Sequence, residues 1–178
     1  MNTLSNVEAA LLGLLRNGPM YPYQIEKEVQ ERDMRFWTEL SMSSIYKLLR
    51  KLERTNIVIS KTEISDENRT RKRYELTEEG RKALENKVKE LVSEPDHIRW
   101  QVDIGISNLD MLPLDEAVLC LDKYKAKLEQ SIEQYRGLAK YMSEAGCTRR
   151  AQGLASRPQY LMEGEIRWID SYLKQIIE

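Results

Sequence analysis

The chain has 178 residues, 41% of them apolar, and its 28 Lys plus Arg against 29 Asp plus Glu leave a formal net charge of -1. That suits one large domain or two small ones with a packed core, and only eight glycines and five prolines exclude a loop-rich or all-β chain. No apolar run reaches the roughly 18 residues of a membrane span, and the start lacks a signal peptide's basic n-region, so a cytoplasmic protein is expected.

Ser5-Asn6-Val7-Glu8 reads as a capping box. Ala9, Leu11, Leu12, Leu14 and Leu15 follow as a helix with a broad apolar face, which Asn17-Gly18-Pro19 stops. Pro22 fits the first turn of a second helix, where its missing N–H costs nothing. Ile25, Val29 and either Tyr21 or Pro22 face inward at helical spacing. Ser41 or Ser43 caps a third helix with a buried stripe of Ile45, Leu48, Leu49 and Leu52. Its opposite face carries Ser44, Lys47, Arg50, Lys51 and Arg54.

"IVISKTEI" is short and β-branched, Ser65 to Asn68 supply turn residues, and "KRYEL" puts Tyr74 and Leu76 on one face. Two such runs around a polar turn predict a β-hairpin. Thr77 caps a fourth helix, Glu78 and Glu79 suit its positive end, and Gly80 permits close packing. Leu84, Val88 and Leu91 are its expected inward residues. Three helices, a hairpin and a helix in this order make a winged helix-turn-helix.

Glu94-Pro95-Asp96 marks a boundary, giving domains at 1–94 and 95–178. Residues 97–111 allow a short helix around Trp100, Val102, Ile104 and Ile106. From Pro113 a long amphipathic helix is expected. Leu114, Leu121, Leu128, Tyr135 and Met142 recur every seven residues, Ala117, Tyr124 and Leu138 fill the seam between, and Ser131 interrupts it. Residues 143–157 read as a loop or broken connection. Pro158 is expected to start a last helix with Leu161, Ile166, Trp168, Ile169, Tyr172, Leu173 and Ile176 on its apolar side. The fold class is mainly α, a winged helix-turn-helix followed by an α-helical domain.

The charge distribution says more than its total. Ser41 to Arg73 holds nine cations and four anions, a surplus of five on a chain that is otherwise acidic. A basic strip of this kind is the footprint of a polyanion partner. Catalysis finds no support: His97 is the single histidine, no glycine-rich phosphate loop or nucleophile elbow occurs, and Glu78 and Glu79 are adjacent and point apart. Cys120 and Cys147 make neither a disulfide framework nor a zinc site. No cofactor or metal is expected.

The stretches "LLGLL…YPYQI", "SSIYKLLRKLE" and "RYELTEEGRKAL" resemble the PadR family of bacterial transcriptional regulators (phenolic acid decarboxylase regulators), over residues 4–92. The remainder is similar in pattern to the larger PadR subfamily. One departure is Pro22, where a glycine commonly precedes the tyrosine of the second helix. The resemblance implies a homodimer whose C-terminal helices interlock, with two winged domains on a palindromic operator. Expected DNA contacts are Tyr23 at the second helix, then Ser41, Ser43, Ser44, Tyr46, Lys47, Arg50 and Lys51 on the third. On the wing they are Arg69, Arg71, Lys72 and Arg73. Leu121, Leu128, Tyr135, Trp168, Ile169, Tyr172 and Leu173 are the expected dimer residues. The family's namesake resembles a phenolic-acid sensor, and Trp37, Trp100 and Trp168 are candidates to line a pocket for a planar effector where the winged domain meets the C-terminal helices. The reading from another class is a winged-helix protein-interaction or scaffold module without sequence-specific DNA binding.

Overall fold

Helix α1 (Asn6–Leu15) begins where the sequence places its cap: Ser5 Oγ accepts from the Glu8 N–H at 3.3 Å, and a Glu8 carboxylate oxygen accepts from the Ser5 N–H at 2.8 Å. The computed structural model describes residues 3–64 and 70–178, which divide into two compact units, Met1–His97 and Ile98–Glu178. The first unit continues with α2 (Pro22–Glu31), a one-turn 3-10 segment (Met34–Phe36), α3 (Met42–Arg54), strands β1 (Val58–Ile64) and β2 (Thr70–Leu76), and α4 (Glu78–Ser93). The expected turn at Ser65 to Asn68 lies outside the described residues.

Leu11, Leu12 and Leu15 of α1 pack with Ile25 and Val29 of α2, Ile45, Leu49 and Leu52 of α3, and Val58, Tyr74 and Leu76 of the hairpin. Leu48 is half-buried at the edge. The antiparallel register pairs Val58 with Leu76 and Ser60 with Tyr74, so those residues point at the core together. A further bridge pairs Met20 with Tyr74: each N–H donates to the other's carbonyl, at 2.9 and 2.8 Å. The segment before α2 is thereby stitched to the free edge of β2.

Thr77 Oγ1 caps α4 by accepting from the Gly80 N–H at 2.9 Å. A Cβ at Gly80 would stand 2.1 Å from the Ile57 carbonyl oxygen, so glycine is what lets α4 close against the start of the hairpin. Of the inward residues expected on α4, only Leu84 packs against the core. Val88 and Leu91 are exposed, because a 16-residue helix of ~24 Å runs past the end of so small a core.

The second unit holds α5 (Gln101–Ile106), a 3-10 turn (Leu109–Met111), α6 (Leu114–Glu144) and α7 (Arg149–Ile177). Helices α6 and α7 pair as a hairpin whose buried seam contains Ala117, Leu121, Ile132, Ala155 and Ile169. Ser131 turns its hydroxyl onto the Lys127 carbonyl at 2.9 Å, and Ile132 takes the buried place beside it. Lys125 on α6 pairs with Asp170 on α7 at 2.5 Å.

Two expectations change here. The loop ends at Thr148, which caps α7, and Pro158 lies inside that helix. Proline in a helix interior removes one N–H and crowds the preceding turn. The helix nonetheless continues, because Ala155 and Ile169 on either side of Pro158 are fully buried in the seam and Gln159 Nε2 donates to the Ala155 carbonyl at 3.0 Å. Leu121 and Ile169, expected at a dimer contact, are buried within the chain itself; Leu128, Tyr135, Tyr172 and Leu173 lie half-buried beside the seam.

Candidate nucleic-acid interface

The N-terminus of α3 is built by serines. Ser41 Oγ accepts from the Ser44 N–H at 3.2 Å, while Ser44 Oγ accepts from the Ser41 N–H at 2.7 Å and donates to the Ser41 carbonyl at 2.8 Å. Ser43 Oγ lies 3.1 Å from Ser41 Oγ. Ser44 was expected on the outward face; its hydroxyl is instead committed to the cap, because a serine three residues after an N-cap can answer the cap's own backbone N–H. No acidic residue occupies the first turn, so nothing offsets the positive end of the helix dipole there. Beyond it Tyr46, Lys47 and Arg50 are exposed along one side of α3.

Three of the cations expected at DNA are already engaged by carboxylates. Lys51 pairs with Glu8 of α1 at 2.6 Å, Lys72 with Glu53 of α3 at 3.1 Å, and Arg73 with Glu63 of β1 at 3.9 Å. Burial pushes the Glu8 carboxyl up, but hydrogen bonds from Lys51 and Ser5 outweigh it and hold the group below its usual range. Glu53 is lowered first by the Ser60 hydroxyl and then by Lys72, against a small opposing effect of burial. Glu53 therefore ties α3 to both wing strands.

The opposite face of the wing meets α2. With Met20 bridged to Tyr74, the chain runs back along β2, which sets Tyr21 beside Arg73 and Tyr23 beside Arg71. The two tyrosine rings stack at 5.5 Å with 13° between their planes. The Arg71 guanidinium lies 6.0 Å from the Tyr23 ring centre and that of Arg73 5.8 Å from Tyr21. Arg73 Nε donates to the Pro19 carbonyl at 3.3 Å, and the Tyr21 hydroxyl donates to Glu63. An open groove of about 820 Å³ results, lined by Tyr21, Pro22, Tyr23, Tyr46, Arg50, Thr70, Arg71, Lys72 and Tyr74.

Residues 11–86 match the family model described as the transcriptional regulator PadR-like family. The chain belongs to the PadR-like family.

Solved structures extend the likeness over the PadR-like chain's length. Bacillus subtilis PadR in complex with operator DNA aligns with a TM-score of 0.74 at 20% identity, covering 97% of this chain and 99% of that one. The same protein in complex with p-coumaric acid gives 0.74 at 22% identity, with the same coverage. The Vibrio cholerae virulence activator AphA gives 0.61 at 17% identity, covering 96% and 98%. At these identities the likeness is one of fold. No curated protein matches the sequence.

Within this PadR-like winged unit, the hairpin and α3 gather Tyr23, Tyr46, Arg50, Arg71 and Lys72 around one groove. Arg69 lies outside the described residues. Tyr21, Glu53 and Glu63 were missed as interface residues. The signal was present in "YPY", where two tyrosines flank the helix start, and in "RKR", where strand alternation sends Arg71 and Arg73 to one face and Lys72 to the other. Trp37 is exposed in the first unit, as is Trp100 in the second, where Trp168 stacks on Tyr172 at 5.1 Å. Among the described residues no cluster could hold a metal ion, and no helix is long and apolar enough to cross a membrane.

Proposed function

We propose that this PadR-like regulator is a repressor that binds a palindromic operator as a homodimer, with α3 in the major groove and the wing on the flanking backbone. The observation that carries the reading is the exposed row of Tyr46, Lys47 and Arg50 on α3, next to the wing cations around the groove. In helix-turn-helix proteins the N-terminal part of the second helix approaches base edges, and the phosphate contacts around it set orientation. Ser43, Tyr46 and Lys47 are assigned to base edges, and Tyr23, Arg50, Arg69, Arg71 and Lys72 to phosphates. The interaction-module reading is weaker, because this face of α3 is polar and cationic.

A second copy is the partner that the α-helical unit needs. Leu114, Leu119, Leu138, Leu154 and Leu161 each expose more than 40% of their surface in one chain, which is costly in water unless another apolar face covers it. Two recognition helices would then sit about 34 Å apart on one side of the duplex. A small planar ligand, for which Trp37, Trp100 and Trp168 are the candidate rings, would release the operator by binding the DNA-incompetent state more tightly. A relative's complex with p-coumaric acid supports this ligand class.

Fluorescence anisotropy with duplexes tiled across the chain's own promoter region tests the reading. One duplex should be bound tightly, as two protein chains per site, with affinity falling about 10³–10⁵ between 50 and 200 mM salt for 6–10 phosphate contacts. Binding of every duplex alike, or none, would reject it.

A further inference from the structure

The stack of Arg73, Tyr21, Tyr23 and Arg71 joins two elements that the hydrophobic core leaves loosely related. Core contacts of the hairpin come from the inward face that carries Val58, Tyr74 and Leu76. The opposite face, with Arg71, Arg73 and Glu63, has no apolar side chain from this list to hold it. What it meets is Tyr21, which touches all of the components: its ring stacks on Tyr23, the Arg73 guanidinium sits over its other side, and its hydroxyl donates to Glu63 on β1. Arg73 adds a bond to the Pro19 carbonyl in the segment leading into α2. Tyr23 in turn carries Arg71. On the core side of the same strand, Lys72 is held by Glu53 of α3.

We infer that Tyr21 is a positioning residue for DNA binding: it latches the wing to α2 and thereby holds Arg71, by way of Tyr23, at the rim of the groove beside Arg50. The inference deepens the operator-binding reading and rests on it for its consequence, though the latch itself does not. Tyr21 makes no contact with DNA in this scheme. Each component is individually weak, since guanidinium–ring contacts at exposed sites contribute little, but all converge on one ring. The Glu63 hydrogen bond also lifts the Tyr21 hydroxyl above the usual tyrosine range, as expected of a donor held by a carboxylate.

The test uses the full chain and two readouts. In hydrogen exchange, Tyr21→Ala should speed exchange of the β2 amides by about fivefold or more while leaving α1 and α3 amides unchanged, with Tyr21→Phe intermediate because it keeps the ring and loses the Glu63 bond. An exchange pattern identical to wild type, or one raised uniformly through the core, would overturn the latch. In operator binding, Arg71→Ala should cost about tenfold in the wild-type background and about twofold when Tyr21 is already alanine, a coupling of about fivefold. Additive losses would remove the positioning role. If wild-type protein binds no duplex, the operator reading fails with its consequence, and the exchange result alone decides whether Tyr21 holds the wing.

Discussion

Lys51 on α3 reaches back across the core's edge to Glu8 on α1, at 2.6 Å, with the glutamate side chain 3% exposed and the lysine 56%. The same Glu8 closes the capping box of α1, so one carboxylate serves both the start of the first helix and the seat of the recognition helix. Lys51 was read from the sequence as a DNA contact; its ammonium has a partner inside the protein.

Removing that ammonium leaves a buried carboxylate with the Ser5 bonds alone. Lys51→Met should therefore destabilise the first unit by about 1–3 kcal/mol, seen as a lower urea midpoint at pH 7. The folded Glu8 carboxyl is held below its usual value of 4.5. Its stabilisation is thus complete above about pH 4.5 and is lost as the pH falls through the folded value. Wild-type stability should drop over that acid range, and Lys51→Met should show a shallower drop there.

The cations should separate by their internal pairing. Lys47→Ala or Arg50→Ala should each reduce the slope of log affinity against log salt by about 0.9, the effect of one phosphate contact. Lys51→Met should leave the slope unchanged, because its charge is spent on Glu8. Lys72→Ala should fall between, since Lys72 must leave Glu53 to meet a phosphate. Titrations of one operator duplex at several salt concentrations check all four.

Gly80→Ala should be among the most damaging small substitutions. The new methyl would stand 2.1 Å from the Ile57 carbonyl oxygen and 3.1 Å from a Leu76 methyl. Backbone on one side and core on the other leave no cheap retreat. A loss of about 2–3 kcal/mol is expected, read as a lower thermal or urea midpoint. Gly137→Ala, whose added methyl meets nothing within 4 Å, serves as the control and should be neutral or slightly stabilising.

Truncation to residues 1–97 should keep the winged unit folded and abolish dimerisation. That unit has its own core, while the exposed apolar residues proposed to meet a second copy lie on the helices beyond it. Light scattering should give a monomer, and affinity for a full palindromic site should approach that for a half-site. A truncated protein that remains a dimer would place the interface in the winged unit.

Much of the winged unit was legible in the sequence, because what decides it is short-range. The caps at Ser5, Ser41 and Thr77 depend on residues three positions apart. The inward stripe of α3 follows from a 3.6-residue period, and the faces of the hairpin from alternation along each strand. Gly80 announced a close approach by having no side chain where one would be expected on a helix.

The tertiary structure alone decided which charges are available and which apolar residues are covered. Glu8 and Lys51 are 43 positions apart, and Glu53 and Lys72 19 apart, so neither pair can be seen until the chain has folded. Val88 and Leu91 fit the helical period of α4 perfectly well, yet the core ends before it reaches them. Pro158 carries a local instruction to start a helix, and the buried seam on both sides of it overrides that instruction. Local geometry is written in neighbouring residues; burial and ion pairing depend on which distant surfaces meet, and a one-dimensional pattern does not contain that distance.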